Sequence, residues 1–204
     1  MTHRTPTLSY KPLCAAAGIN PVALKYHFKC GNVPPLGADF DNRGAIVDTS
    51  RQVRFTPKGG LYLIVAMRLI SANIPSGDAF SVTLSFSDLG TSPETWGDDP
   101  PEIKPWNHRA PGKIFAAGKT WMVVDPRRHD DLTGLPLHRV ICTADPALSH
   151  LDSLLSAPEA GLVTGDPQTL VIVDISAIGH DLCAKLSLDP AEHLITPAPE
   201  GGWS

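Results

Sequence analysis

Residues Ser9 to Pro35, SYKPLCAAAGINPVALKYHFKCGNVPP, decide the fold of this chain. Two short helix-forming segments flank Gly18, and a glycine supplies the backbone freedom that a tight turn between steeply packed helices requires. Asn20 is a preferred N-cap residue, and Pro21 follows at the first helical position, where its missing N–H costs no hydrogen bond. The stretch therefore predicts two helices joined by a tight turn.

The second of these helices carries different side chains on different faces. Leu24 and Phe28 lie four positions apart and share an apolar face. The cationic and aromatic side chains project elsewhere, together with one valine: Val22, Lys25, Tyr26 and Lys29. A helix with an apolar back and a basic, aromatic front suits the phosphate-lined major groove of DNA. The pattern predicts a DNA-reading helix-turn-helix.

Further motifs extend this pattern: Leu13-Cys14, Gly18-Ile19, Leu24-Lys25-Tyr26-His27, Gly31 with Pro34-Pro35, and Arg54-Phe55. In these motifs the chain resembles the winged-helix DNA-binding domain of MerR-type transcriptional regulators, over residues 7–75. That family has Leu-Arg-Tyr-Tyr where this chain has Leu-Lys-Tyr-His. The resemblance implies that Lys25 and Tyr26 meet phosphate and groove, and that Arg54-Phe55 opens a third helix.

The chain departs from that family in two elements. The segment expected to form the wing is much longer, and no long amphipathic helix follows the domain to make an antiparallel dimer coil. Lysine at position 25 keeps the charge of the family's arginine but loses its paired donors. We therefore expect any homodimer to form through the C-terminal half.

The net charge of −4 on the 204 residues is unevenly divided. Residues 1–70 hold nine Lys or Arg against three Asp, a net charge of +6. Residues 71–204 hold eight bases against eighteen acids, a net charge of −10. A basic module joined to an acidic one predicts that only the first meets a polyanion. The alternative is that the basic residues merely solvate a surface.

Residues 91–111 contain five prolines and few aliphatic residues, which is typical of a linker or covering loop. We expect an α+β fold in which a winged helix-turn-helix DNA-binding domain spans residues 1–90 and a small α+β domain spans residues 112–190. Residues 191–204 are expected to form a flexible tail. The second domain is expected to serve dimerisation, a protein partner or a small-molecule effector.

In the first domain, Ala45–Val47 and Gln52–Phe55 predict the paired strands of the wing. Thr56 before Pro57 predicts the start of a helix that closes the domain core, and Ser76–Gly90 favours a further helix over a strand.

In the second domain, Lys113–Phe115 and Thr120–Val124 predict a hairpin that turns at Gly118. Two β-then-α units are expected to follow it: strand Leu137–Thr143 with a helix from Asp145, and strand Leu170–Val173 with a helix capped by Ser176.

The sequence predicts no enzyme, and therefore no catalytic residue, metal or cofactor, because no polar set has the spacing of such a site. Gly59-Gly60 lacks the Lys-Ser/Thr that completes a phosphate loop. Arg127 to Asp131 and His180-Asp181 could bind a metal or phosphate, but charge clusters of this kind are expected to be solvated.

Four cysteines lie far apart beside apolar residues: Cys14, Cys30, Cys142 and Cys183. We expect them to be reduced core residues of a cytoplasmic protein. No apolar run has the length of a signal sequence or a membrane span, so no membrane partner is expected. Trp106 and Trp121 could line an effector pocket, but aromatic rings of this size more often pack a core.

The sequence thus predicts a transcription regulator that binds double-stranded DNA specifically. Groove contacts are expected from the second helix and its cap: Asn20, Val22, Lys25, Tyr26 and His27. Phosphate and wing contacts are expected from four cations: Lys29, Arg43, Arg51 and Arg54. Two alternatives stay open: an excisionase-like architectural factor that bends DNA, and a protein-interaction module whose acidic half imitates DNA or blocks another regulator.

Overall fold

The computed structural model describes residues 6–33, 45–47, 53–91, 103–143 and 170–202. Six helices occur among them: α1 (Tyr10–Ala17), α2 (Pro21–Lys29), α3 (Pro57–Ser71), α4 (Ser76–Asp88), α5 (Ile175–Leu186) and α6 (Pro190–His193). The strands are β1 (Leu8–Ser9), β2 (Ala45–Val47), β3 (Val53–Phe55), β4 (Lys119–His129), β5 (Pro136–Thr143) and β6 (Val171–Asp174). This mixture confirms the expected α+β class.

The turn between α1 and α2 has the expected geometry. Gly18 adopts a φ of 64°, in the left-handed region that glycine enters without strain, and Ile19 donates its N–H to the carbonyl oxygen of Cys14 at 3.0 Å. Asn20 caps α2, since its side-chain oxygen accepts the N–H of Val22 at 2.9 Å. Both predicted helices and the predicted cap are therefore confirmed.

The first sheet is antiparallel and has the strand order β1-β3-β2. Its pairing of β2 with β3 confirms the expected strand pair. Arg54-Phe55 does not open a helix, contrary to the expectation from the resemblance, because both residues belong to β3. Helix α3 begins after Thr56, whose extended backbone lets its side chain accept the N–H of Gly59 at 3.2 Å.

The second sheet is antiparallel and has the strand order β5-β4-β6. The predicted hairpin across Gly118 is wrong, since β4 pairs with β5 and β6, while Ile114 forms a parallel bridge with Ile195. An apolar β-prone segment predicts a β-strand, but it does not predict the strand with which that segment pairs. Strand β4 also reaches His129, with an irregular register after Asp125.

The N-cap of helix α5 lies two residues before the predicted one, Ser176. The carboxylate of Asp174 is the N-cap and accepts the N–H of Ala177 at 2.8 Å. Ser176 instead accepts the N–H of Thr120 at 2.8 Å, so its hydroxyl joins α5 to β4. The helix predicted from Asp145 lies outside the described residues.

The chain after α6 is packed as far as Thr196, so the expectation of a flexible tail is wrong there. Leu194 is fully buried, and Thr196 donates its hydroxyl to the carbonyl oxygen of Ile114 at 2.7 Å. The sequence pattern of prolines and glycines gave no sign of this packing, because a single buried leucine has no periodic neighbours.

Arg109 holds the described ends of the proline-rich stretch against α4. Its side chain is buried, and its guanidinium donates to the carbonyl oxygens of Phe86, at 2.9 Å, and Leu89. Its backbone also pairs with Thr91. Burial lowers the pKa of Arg109 to about 10, and the carbonyl partners compensate the guanidinium for lost water. The predicted linker is therefore packed against α4 at Arg109.

One hydrophobic cluster contains side chains from before and after residues 91–111. Leu13 of α1, Leu61 of α3 and Leu182 of α5 all belong to it and are almost wholly buried. A Cβ atom at Gly60 would lie 2.9 Å from Leu13 Cδ1, so this glycine permits α1 and α3 to pack closely. The described halves share a core, and the position of a domain boundary stays a prediction.

The last long helix supports the first one. Lys185 of α5 donates its ammonium to the carbonyl oxygen of Ala16, at the C-terminal end of α1, at 2.9 Å. The same ammonium pairs with Asp181 at 2.7 Å. A cation at this end of a helix also complements its partial negative charge. Helix α1 is thus held by residues from the opposite end of the chain.

Candidate nucleic-acid interface

Helix α2 presents one exposed stripe and buries the opposite face. The stripe, at helical spacing, consists of Val22, Lys25, Tyr26 and Lys29. Val22 is 73% exposed and Tyr26 is 60% exposed, although both are large and apolar. The predicted separation of faces is confirmed, because Leu24 is fully buried and Phe28 packs on the core.

The position of α2 is fixed at its N-terminal end by Tyr10. The hydroxyl of Tyr10 donates to the carbonyl oxygen of Pro21 at 2.7 Å, and its ring lies 6.4 Å from that of Phe55. Burial raises the pKa of Tyr10 to about 12, which keeps the hydroxyl protonated as a donor. The ammonium of Lys25 lies 5.6 Å from the centre of the same ring, within the range of a cation–π contact.

His27 lies on a different side of α2 from the stripe. Its ring is partly buried and lies 5.7 Å from the ring of Phe80 in α4. The side-chain nitrogen of Asn32 lies 3.1 Å from Nδ1 of His27 and also donates to the hydroxyl of Ser76 at 3.0 Å. These contacts connect α2 to the start of α4. They indicate that His27 helps to set the orientation of α2.

The other predicted contacts are divided. Asn20 is exposed, but its side-chain oxygen is engaged by the helix cap. Arg54 is half-buried on β3 and donates to the hydroxyl of Thr7 at 3.3 Å. Arg43 and Arg51 lie outside the described residues.

The charge of this region has one sign. Residues 6–33 contain no Asp or Glu and three lysines, all exposed: Lys11, Lys25 and Lys29. Tyr26 forms a side-chain hydrogen bond with Cys30, which raises the pKa of the tyrosine and keeps its hydroxyl protonated. The exposed face of α2 therefore carries cations, an aromatic ring and a valine, with no acidic residue among residues 6–33.

Two expectations about single residue types need correction. Cys14 and Cys183 are buried, as expected, but Cys30 is exposed at the end of α2. Trp106 is 57% exposed, so it does not pack a core within the described residues. Whether either tryptophan contacts an effector stays a prediction.

Most of the charge cluster at the end of β4 is exposed, as expected, and Arg128 is the exception. Arg128 is buried and forms an ion pair with the fully buried carboxylate of Asp125 at 2.5 Å. Asp130 accepts the N–H groups of Leu132, at 3.1 Å, and Thr133, at 2.7 Å, and these bonds shape the turn before β5. Asp125 likewise accepts the N–H groups of Arg127, at 3.0 Å, and Arg128, at 3.3 Å, so local hydrogen bonds account for both acidic residues.

Sequence reasoning missed a second convergence of polar groups. Ser85 of α4 meets His138 of β5, with 2.6 Å between Oγ and Nε2. These residues lie 53 positions apart in unrelated motifs, so no local pattern could have brought them together. Among the described residues, no three His, Cys, Asp or Glu side chains form a potential metal site. None of the described helices is long and apolar enough to cross a membrane.

No protein-family model matches the sequence, and comparison with curated proteins finds no similar sequence. The resemblance to MerR-type regulators therefore rests on the residues of this chain alone.

Proposed function

We propose that this chain is a transcription regulator that binds double-stranded DNA in the cytoplasm by placing α2 in the major groove. The observation that carries the proposal is the exposed stripe of α2, in which two lysines, a tyrosine and a valine share one face. Large apolar side chains are unfavourable in contact with water. A partner that covered this face of α2 would bury them and so gain hydrophobic free energy.

The proposal gives the stripe residues two roles. Lys25 and Lys29 neutralise phosphates, which positions the protein without specifying sequence. Val22 and Tyr26 face base edges, where a valine can contact the methyl group of thymine. His27 acts one step removed, because its contacts with Phe80 and Asn32 set the angle of α2. Arg54, with Arg43 and Arg51 on the expected wing, supplies further phosphate contacts.

The resemblance to MerR-type winged helices supports the same assignment. A symmetric homodimer formed through the C-terminal half would place two copies of α2 about one DNA turn apart, so the expected site is an inverted repeat. The C-terminal half would then also be the place for a protein partner or a small-molecule effector.

The test selects duplexes bound by the full-length protein and footprints the enriched sequences. Lys25→Ala should weaken binding to specific and nonspecific duplexes alike and lower the log–log salt slope by about one unit. Lys119→Ala is the matched control, since this lysine is exposed and belongs to β4 instead of α2. Discrete half-sites support the regulator. A long cooperative array would favour the architectural alternative, and no protection at any salt concentration would overturn DNA binding.

A further inference from the structure

The contact between Ser85 and His138 has only one consistent arrangement of protons when the histidine is neutral. Nδ1 of His138 lies 2.7 Å from the carbonyl oxygen of Pro136, which can only accept a hydrogen bond. Nδ1 must therefore carry the proton, and Nε2 must be the bare nitrogen. Since Ser85 Oγ lies 2.6 Å from Nε2, its hydroxyl donates to the histidine.

The surroundings keep His138 in the form that accepts a proton. Burial lowers the pKa of His138, so its ring is neutral at physiological pH. The charge of Asp130 acts in the other direction and would stabilise the imidazolium once a proton arrived. The contact with the carbonyl oxygen of Pro136 favours the imidazolium in the same way. These are the properties of a general base.

Ser85 is more exposed than the two hydroxyl residues closest to it on α4. Both Ser85 and His138 are partly exposed. Thr83 and Ser87, two positions away on either side, are buried, and the hydroxyl of Thr83 is bound to the carbonyl oxygen of Ala79 at 2.7 Å. Of these hydroxyls, Ser85 alone combines exposure with a bond to a histidine nitrogen.

We propose that Ser85 is a nucleophile that takes an acyl group from small activated esters, with His138 as its general base. Oγ of Ser85 attacks the carbonyl carbon and its proton passes to Nε2 of His138. The bond to the leaving alkoxide then breaks, and the alkoxide takes that proton as it departs. Water, deprotonated by the same Nε2, then attacks the acyl carbon. The bond from that carbon to Ser85 Oγ breaks, the acyl group leaves as a carboxylic acid, and Oγ recovers the proton from His138. This chemistry is independent of DNA binding, since none of its residues lies on α2.

The experiment treats the full-length protein with an alkyl fluorophosphonate and locates the adduct by peptide mass spectrometry. Reaction forms an Oγ–P bond and expels fluoride, with the proton passing to His138. We expect the adduct on Ser85 in the folded protein and not in protein unfolded with urea. The labelling rate should rise with pH and level off, with a midpoint below the ordinary histidine value of about 6.5. Turnover of p-nitrophenyl acetate measures the complete cycle.

Two variants separate catalysis from a structural hydrogen bond. Gln at position 138 can keep the contact with Ser85 but has no basic nitrogen, so His138→Gln should slow labelling by about 100-fold or more. Ser81→Ala is the control, since Ser81 is a partly exposed serine one turn earlier on α4. Equal labelling of folded and unfolded wild type, or no adduct on Ser85, would overturn the proposal without using any variant. Equal rates for wild type and a folded His138→Gln protein would do the same.

Discussion

The exposed stripe of α2 and the Ser85–His138 contact differ in which parts of the sequence determine them. The stripe comes from nine consecutive residues, PVALKYHFK, whose helical period alone sorts them into two faces. The contact joins α4 to β5, and only the packing of the two elements creates it. The stripe is exposed, and the DNA affinity proposed for it would depend on salt concentration. The Ser85–His138 contact is partly buried, and its hydrogen bond depends on whether His138 is protonated. A surface formed by one helix can be predicted from a local pattern, whereas a contact between two elements requires the tertiary fold.

The largest effect should come from a change in the core that supports both regions. Leu61→Ala removes a fully buried side chain that packs against Gly179 of α5. The cavity should lower the free energy of unfolding by about 2–5 kcal/mol, which urea denaturation measures. DNA binding and Ser85 labelling should then be lost at the same denaturant concentration. Leu132→Ala is the matched control, because Leu132 is 96% exposed and its removal should change nothing. Separate transitions for the two activities would show that the two regions do not share one folded unit.

The next effect should be confined to the stripe. Replacing both Lys25 and Lys29 with Ala should lower the salt slope of duplex binding by about two units, since each lost phosphate contact contributes about 0.9. Fluorescence anisotropy at several salt concentrations measures the slope. Labelling of Ser85 should keep its wild-type rate. A variant with the wild-type slope would place the phosphates elsewhere on the molecule.

Part of the pH dependence of the free energy of unfolding should come from the Ser85–His138 contact. The pKa of His138 is lower in the folded protein than in the unfolded chain, so the unfolded chain binds the proton more readily. His138 therefore does not reduce the free energy of unfolding above about pH 6.5. As the pH falls below that value, proton binding to the unfolded chain lowers the free energy of unfolding. Asp130 is the titratable group whose charge opposes this effect. Urea unfolding at pH 7.5 and 5.5 should show a drop in stability for wild type that is smaller for His138→Gln. Equal drops would assign the pH dependence to other groups.

The smallest effect should concern the angle of α2. Asn32→Ala removes the contacts with His27 and Ser76 and should cost about 0.5–1.5 kcal/mol of stability. Its clearer signature is expected in binding, where discrimination between duplexes should fall while nonspecific affinity stays unchanged. Competition binding with a selected duplex and a scrambled one measures this. A parallel loss in both would show that Asn32 acts through the fold and not through orientation.

Features that depend on neighbouring residues could be predicted from the sequence. Gly18, Asn20 and Thr56 act within one turn of a helix, and the structure has the expected turn and both expected caps. The separation of Leu24 from Tyr26 likewise follows from helical period alone.

Features that depend on a distant partner could not be predicted. The pattern around Ile114 indicated an extended segment, but its partner is Ile195, far along the chain. Ser176 met the rule for a cap, yet Asp174 caps the helix and Ser176 binds Thr120. The sequence predicted an exposed side chain for Arg128, but Arg128 is buried. Its ion pair with Asp125, three positions earlier, permits this burial.

The bond from Lys185 to Ala16 spans 169 positions and so sets an order of events during synthesis. Helix α1 cannot gain its support from α5 until a ribosome has made the residues up to Lys185, and contacts of such separation form slowly. A nascent chain that ends before α5 would lack the Lys185 bond, although α1 could still pack against α3 through Leu13 and Gly60. The Lys185 bond is therefore a late addition to the support of the stripe.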